Sequence, residues 1–117
     1  MNANSDPELN SPLTEVTYFI LLSLAPGAKH GYGIMKDVRF MSKGRVTLST
    51  GTLYGALPRL LEQGWITRAE TPAVKRPGRK RKLYRLTPLG QEILETEVNR
   101  LDSLLSAAQK RIAKEST

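Results

Sequence analysis

The residues of this 117-residue chain best suited to chemistry are hydroxyls, glycines and cations rather than acids, thiols or imidazoles. Ser49, Thr50 and Thr52 set three hydroxyls at the start of an apolar-periodic run, and Gly51 and Gly55 leave its polar side nearly free of side-chain bulk. Tyr54 and Arg59 complete that side. Further on, Lys75, Arg76, Arg79, Lys80, Arg81, Lys82 and Arg85 lie in one acid-free segment. The chain has 18 basic and 11 acidic residues, net +7; outside those seven, basic and acidic residues balance, so the whole net charge sits in one segment. Charge concentrated in this way draws a polyanion, whereas solubility charge is spread over a surface. Hydroxyls, free helix amides and cations are the groups that bond phosphates and base edges. This is the chemistry of reversible recognition.

Covalent chemistry finds little to work with. There is no cysteine, so no disulfide, thiolate or zinc-cysteine site can form, which suits a reducing compartment. His30 is the only histidine, which leaves a metal site or a catalytic relay without a second imidazole; a cap or surface position is expected for it. Asp37, Glu62, Glu70 and the other carboxylates show no paired setting, so the chain is not expected to be an enzyme or to carry a cofactor. Gly27, Gly31 and Gly33 are followed by no Gly-Lys-Ser/Thr and preceded by no apolar strand, so they make no nucleotide loop. The opening MNANSDPELN lacks a charged-then-apolar pattern, and the apolar stretch 16–25 is too short for a bilayer. A soluble, cytoplasmic protein without a membrane partner is expected.

The hydroxyls and glycines need a helix to present them. Ser49 is a favoured N-cap, residues 50–63 put Leu53, Leu57, Leu60 and Leu61 on one face, and Gly64 is a stop. The other face carries Gly51, Thr52, Gly55, Pro58, Arg59 and Glu62. Two glycines cost roughly 1 kcal/mol each against alanine, and an interior proline about 3. Close approach of the backbone to a phosphate chain accounts for such an outer face, because the positive end of the helix attracts anions. Glu62, at the far end, would repel them, so only the first turns are expected to enter a groove.

The remaining elements follow from punctuation and period. Residues 1–10 form a polar arm. Ser11 and Pro12 open a helix reaching the Pro26-Gly27 break, with Leu13, Val16, Ile20 and Leu24 on one face; Phe19, Leu21 and Leu22 widen it, so this helix is buried on more than one side. Residues 29–41 predict a second helix with Ile34, Val38 and Met41 inward and Tyr32 packed at its start. The turn 42–48 then joins it to the helix capped by Ser49, a helix-turn-helix arrangement. WITRAE and KLYRLT read as two strands around a Pro77-Gly78 turn, a hairpin whose tip holds most of the basic segment. Thr87 as cap and Pro88 at the first helical position start a helix to about Lys114. Along it Leu94, Val98, Leu101, Leu105, Ala108 and Ile112 alternate spacings of four and three, a heptad seam. At 1.5 Å per residue the helix extends roughly 40 Å, more than a small domain needs, which points to a dimerisation helix. The fold class expected is mainly α with a small β-hairpin: an arm over 1–10, a winged helix-turn-helix over 11–87 and a dimerisation helix over 88–117.

In this order the stretches HGYGI, LSTGTLYGAL, LLEQGWI and RKLYRLTPLG resemble the PadR-like transcriptional regulators, over nearly all of residues 13–114. The single C-terminal helix resembles the small subfamily, winged helix-turn-helix homodimers that usually repress transcription. The resemblance implies that the helix from Ser49 reads the major groove, that the wing around Arg79 to Arg81 reaches phosphates or the minor groove, and that Tyr54 lies at the DNA surface. Where the family commonly has proline, Thr50 and Gly55 stand here, and proline appears instead at Pro58, where a bend is expected. Some small-subfamily members bind flat drug-like molecules between tryptophans; the one tryptophan here, Trp65, ends the recognition helix and is expected in the core.

The resulting expectation is a homodimeric, sequence-specific repressor of transcription on an inverted repeat of double-stranded DNA. Its contacts are Ser49, Thr50, Gly51, Thr52, Tyr54, Arg59, Arg79, Lys80, Arg81 and Lys82, with base readout by Thr50, Thr52 and Arg59. A small-molecule effector pocket at the dimer interface, lined by Tyr18, Phe19 and Leu105, is an open alternative. So are two other functions, a sequence-indifferent architectural DNA-binding protein and a protein-interaction adaptor.

Overall fold

A computed structural model describes residues 12–69 and 82–115, with side chains to residue 113. In chain order the elements are α1 (Glu15–Leu24), β1 (Lys29–His30), α2 (Gly31–Met41), α3 (Thr50–Glu62), β2 (Ile66–Ala69), β3 (Leu83–Leu86) and α4 (Pro88–Glu115). The expected arm, Ser11 and the Pro77-Gly78 turn lie outside the described residues.

Helix α1 starts later than Ser11 and Pro12 suggest. Thr14 holds the extended backbone of a cap and its hydroxyl accepts the Thr17 amide at 3.1 Å, so a hydroxyl nearer the apolar run sets the boundary. The helix is buried on more than one side, as its breadth of apolar residues predicts: Ile20, Leu21, Ser23 and Leu24 are all closed off from solvent. Ser23 satisfies its hydroxyl by donating to the Ile20 carbonyl at 2.7 Å.

The hairpin is a three-stranded antiparallel sheet in the order β1-β3-β2. Strand β1 corrects the expectation of a helix from residue 29. Lys29 and His30 pair with Tyr84 and Leu83, and α2 begins only at Gly31. A two-residue strand has no period to read, and its partner lies more than fifty residues away. Tyr32 is a second correction: it is 68 % exposed rather than packed, with the Lys36 ammonium 5.5 Å from the ring centroid. Its place on α2 faces away from Ile34 and Val38, the two residues that plug the core.

Three features fix α3. Ser42, buried at the end of α2, accepts the Val46 amide at 2.9 Å and donates to the Val46 carbonyl, which orders the turn. Ser49 caps α3 by accepting the Thr52 amide at 3.0 Å. Leu53, Ala56, Leu57 and Leu60 seat it on α1 and α2 in one apolar core that Trp65, Ile66, Tyr84, Ile93 and Leu94 complete. The helix continues through Pro58, and Gly64 ends it at a φ of 76°, a left-handed position that suits glycine.

The start of α4 is locked to the end of α3. The Thr87 amide donates to the Trp65 carbonyl, its hydroxyl donates to the Gly64 carbonyl, and the same hydroxyl accepts the Gly90 amide as a cap. Gly90 presses on the Trp65 carbonyl so closely that a Cβ would collide with it. Gly90→Ala is therefore expected to destabilise the fold by about 1–3 kcal/mol, as overpacking does, and to lower the thermal midpoint. An unchanged midpoint would mean that the backbone there gives way freely.

Ile93 and Leu94 on α4 belong to this chain's own core, so the core runs across the expected boundary between 87 and 88. Leu94 thus corrects the seam: at 3 % exposed it seals the monomer and is not free for a second subunit. One turn on, the buried Glu97 carboxylate accepts the Leu13 amide at 3.2 Å and two bonds from Arg100, at 2.9 and 2.7 Å. That bonding to Glu97 raises the Arg100 pKa above its ordinary value. Beyond Arg100, α4 leaves the body of the domain. Leu101, Leu104, Leu105, Ala108 and Ile112 are all exposed.

Candidate nucleic-acid interface

On α3, every residue expected at the interface lies on the outer face. Ser49, Thr50, Gly51, Thr52, Tyr54, Gly55, Pro58 and Arg59 are exposed, and Leu53, Ala56, Leu57 and Leu60 turn inward. The two glycines are not required by the fold. A Cβ on Gly55 would meet nothing within 4 Å, and one on Gly51 only the Ser49 hydroxyl at 4.0 Å. Their helix-propensity cost serves no contact among the described residues. The Ser49 hydroxyl also donates to the Thr52 hydroxyl at 2.9 Å, so one cap orients two of the candidate donors.

Tyr54 is half exposed, and its location shows why two distant motifs occur together. Gly31, in HGYGI, lies under the Tyr54 phenol, where a Cβ would run into the hydroxyl and the ring. Tyr54 also neighbours Tyr84 on β3. Burial pushes the Tyr84 phenol above its ordinary value near 10; the nearby Arg68 cation opposes this and Tyr54 adds to it. Tyr84 stays protonated at neutral pH and fills the joint between α3 and the sheet.

The sheet brings cations alongside α3. Lys29, Tyr84 and Arg68 are direct cross-strand partners and project from one face of the sheet. Arg68 is exposed, as is Lys82 at the root of the wing. Arg68 was not among the expected contact residues; its register opposite Tyr84 was the missing information, since a lone arginine in WITRAE carries no signal. Lys29 is engaged 3.9 Å from Asp37. Arg79, Lys80 and Arg81 lie outside the described residues, as do Lys75 and Arg76. The lining expected for an effector pocket is dispersed: Tyr18 and Phe19 meet edge to face on α1 at 5.6 Å, whereas Leu105 is exposed on the far half of α4. Among the described residues no three metal-ligating side chains converge, and no helix is long and apolar enough to cross a membrane.

A capped helix with an open outer face, set between a preceding helix and a three-stranded wing, defines a winged helix-turn-helix protein. The family model of the PadR-like transcriptional regulators matches residues 20–96, and the chain belongs to that family. A comparison with curated protein sequences found no match. Among solved structures, a transcriptional regulator from Clostridium thermocellum is 28 % identical with a TM-score of 0.64, over 81 % of this chain and 90 % of that one. Bacillus subtilis PadR in complex with operator DNA is 25 % identical with a TM-score of 0.64, over 75 % of this chain and 48 % of that one. A PadR family regulator from Clostridium difficile, at 23 % identity and a TM-score of 0.68 over 85 % and 99 %, shares the fold.

Proposed function

We propose that this chain is a cytoplasmic transcriptional repressor that binds an inverted-repeat operator as a homodimer. The observation that carries the DNA-binding part is the outer face of α3, where two glycines unneeded by the fold sit beside a capped helix start and exposed hydroxyls. Thr50, Thr52 and Arg59 read base edges in the major groove, and Ser49, Gly51 and Tyr54 bring the helix start against the backbone. Arg79, Lys80, Arg81 and Lys82 meet phosphates. The operator complex of the Bacillus subtilis relative supports the same use of the fold. Dimerisation rests on the exposed residues Val98, Leu101, Leu105, Ala108 and Ile112 of α4. A two-fold axis through that seam sets the two recognition helices about 34–36 Å apart, one turn of duplex.

The wing assignment has its own test. Arg79→Ala with Arg81→Ala is expected to weaken binding to every duplex and to flatten its salt dependence by roughly 0.9 in log–log slope for each phosphate no longer neutralised. Fluorescence anisotropy across a salt series measures this. An unchanged slope would take the wing off the phosphates.

A further inference from the structure

His30 and Gly31 occupy the place where the wing root, the start of α2 and the recognition helix meet. His30 stands at the N-cap position of α2, yet its side chain makes no capping bond. Its Nδ1 instead lies 3.3 Å from the Lys82 carbonyl, the last backbone acceptor before β3. That carbonyl can only accept, so Nδ1 carries the proton, as the Nδ1–H tautomer and the imidazolium both allow. The backbone clasp at this point is short, since β1 offers only Lys29 and His30 to β3. A side-chain tie at Lys82 reinforces it at the residue that follows Arg79, Lys80 and Arg81 in sequence. One residue on, Gly31 supplies the room that Tyr54 of α3 occupies, and Tyr54 in turn adjoins Tyr84 of β3. The junction therefore grips the wing root from one side and the recognition helix from the other.

We infer that His30 is a positioning residue: by donating from Nδ1 to the Lys82 carbonyl, beside the Gly31–Tyr54 contact, it sets the wing at a fixed attitude to the recognition helix, so that phosphate and base contacts are made in one register. The inference rests on the DNA-binding reading above and deepens it. His30 itself does not touch DNA; it acts through Lys82.

The test uses the full chain and four variants: His30→Leu, which keeps bulk and removes the donor, His30→Asn, whose amide restores one, the Arg79→Ala/Arg81→Ala pair, and that pair combined with His30→Leu. Anisotropy is read on a duplex from the upstream region of its own gene and on a scrambled duplex across a salt series, with thermal midpoints alongside. H30L is expected to bind the upstream duplex about tenfold more weakly with a shallower salt slope, and H30N to recover most of that loss. On the background lacking Arg79 and Arg81, H30L should cost less than about threefold, because a wing stripped of its cations gains nothing from being held. Full additivity, no rescue by a folded H30N, or H30L binding within twofold of the parent at the parental slope would overturn the inference. Should H30L not fold, the imidazole ¹⁵N shifts of the unaltered protein decide: a donor at Nδ1 is expected, and the Nε2–H tautomer contradicts it. A parent protein that does not prefer the upstream duplex overturns the DNA-binding reading itself, separately from the tautomer result.

Discussion

Replacing Gly51 and Gly55 by leucine should leave the protein more stable and nearly unable to bind its operator. Neither site has a neighbour that a Cβ would strike, and each glycine in a helix costs roughly 0.8–1.0 kcal/mol against alanine, with leucine close to alanine. Binding moves the other way, because branched side chains on this face hold the first turns away from the groove. If each protomer forfeits the equivalent of one good bidentate base pairing, about 1–3 kcal/mol, a dimer forfeits about 2–6 kcal/mol. That is a weakening between roughly 30-fold and 10⁴-fold at about 1.4 kcal/mol per decade. Thermal melts and anisotropy on one preparation give both numbers. Stability and affinity falling together would indicate a damaged fold; affinity unchanged would remove this face from the interface.

The second large effect concerns the far half of α4. Past Arg100 the helix has none of the described residues of its own domain to pack on, and it exposes Leu101, Leu104, Leu105 and Ile112, the last at 67 %. An isolated helix of 12–15 residues is marginal in water, and an apolar stripe of this kind marks an interface. Leu101→Glu with Leu105→Glu is expected to bring the mass in light scattering from twice the 13.0 kDa chain mass down to the chain mass itself. Operator affinity should fall by about 10²–10⁴, since a half-site bound alone loses the benefit of the linked second site. A variant that keeps the dimeric mass would place the subunit contact elsewhere, and one that becomes monomeric without losing affinity would remove the two-fold operator.

How far the sequence discloses this molecule depends on whether the signal is local. Helix α3 was legible to the residue at its start, because the Ser49 cap, the leucine period and Gly64 all lie within the element. The Thr87-Pro88 start of α4 was legible for the same reason. Strand β1 was not, since two residues become a strand only through pairing with β3. Leu94 illustrates a second limit: a heptad period identifies an apolar face but not what covers it, and here α1 and the rest of the core cover its first turns. The start of α1 at Thr14 rather than Ser11 is the usual competition between adjacent hydroxyls for one cap.

The interface divides in the same way. The exposed residues of α3 could be named from a helical projection, and the structure places all of them outward. What could not be read is what stands behind them. Gly31 under Tyr54, Arg68 in register with Tyr84, and the His30 link to Lys82 all join residues well separated along the chain. The glycines of HGYGI and LSTGTLYGAL look alike in the sequence yet do opposite things: Gly31 makes room for a side chain of the same protein, while Gly51 and Gly55 face outward with no such neighbour.

Fluorescence anisotropy of the unaltered protein on a duplex from its own upstream region and on a scrambled duplex, each across a salt series, tests the central claim most directly. A sequence-specific regulator is expected to bind the upstream duplex about a thousandfold more tightly, the lower end for specific recognition, with both curves weakening as salt rises. Equal and steeply salt-dependent binding to the two would contradict sequence-specific recognition of that region and favour an architectural role; no binding to either would contradict a DNA partner altogether.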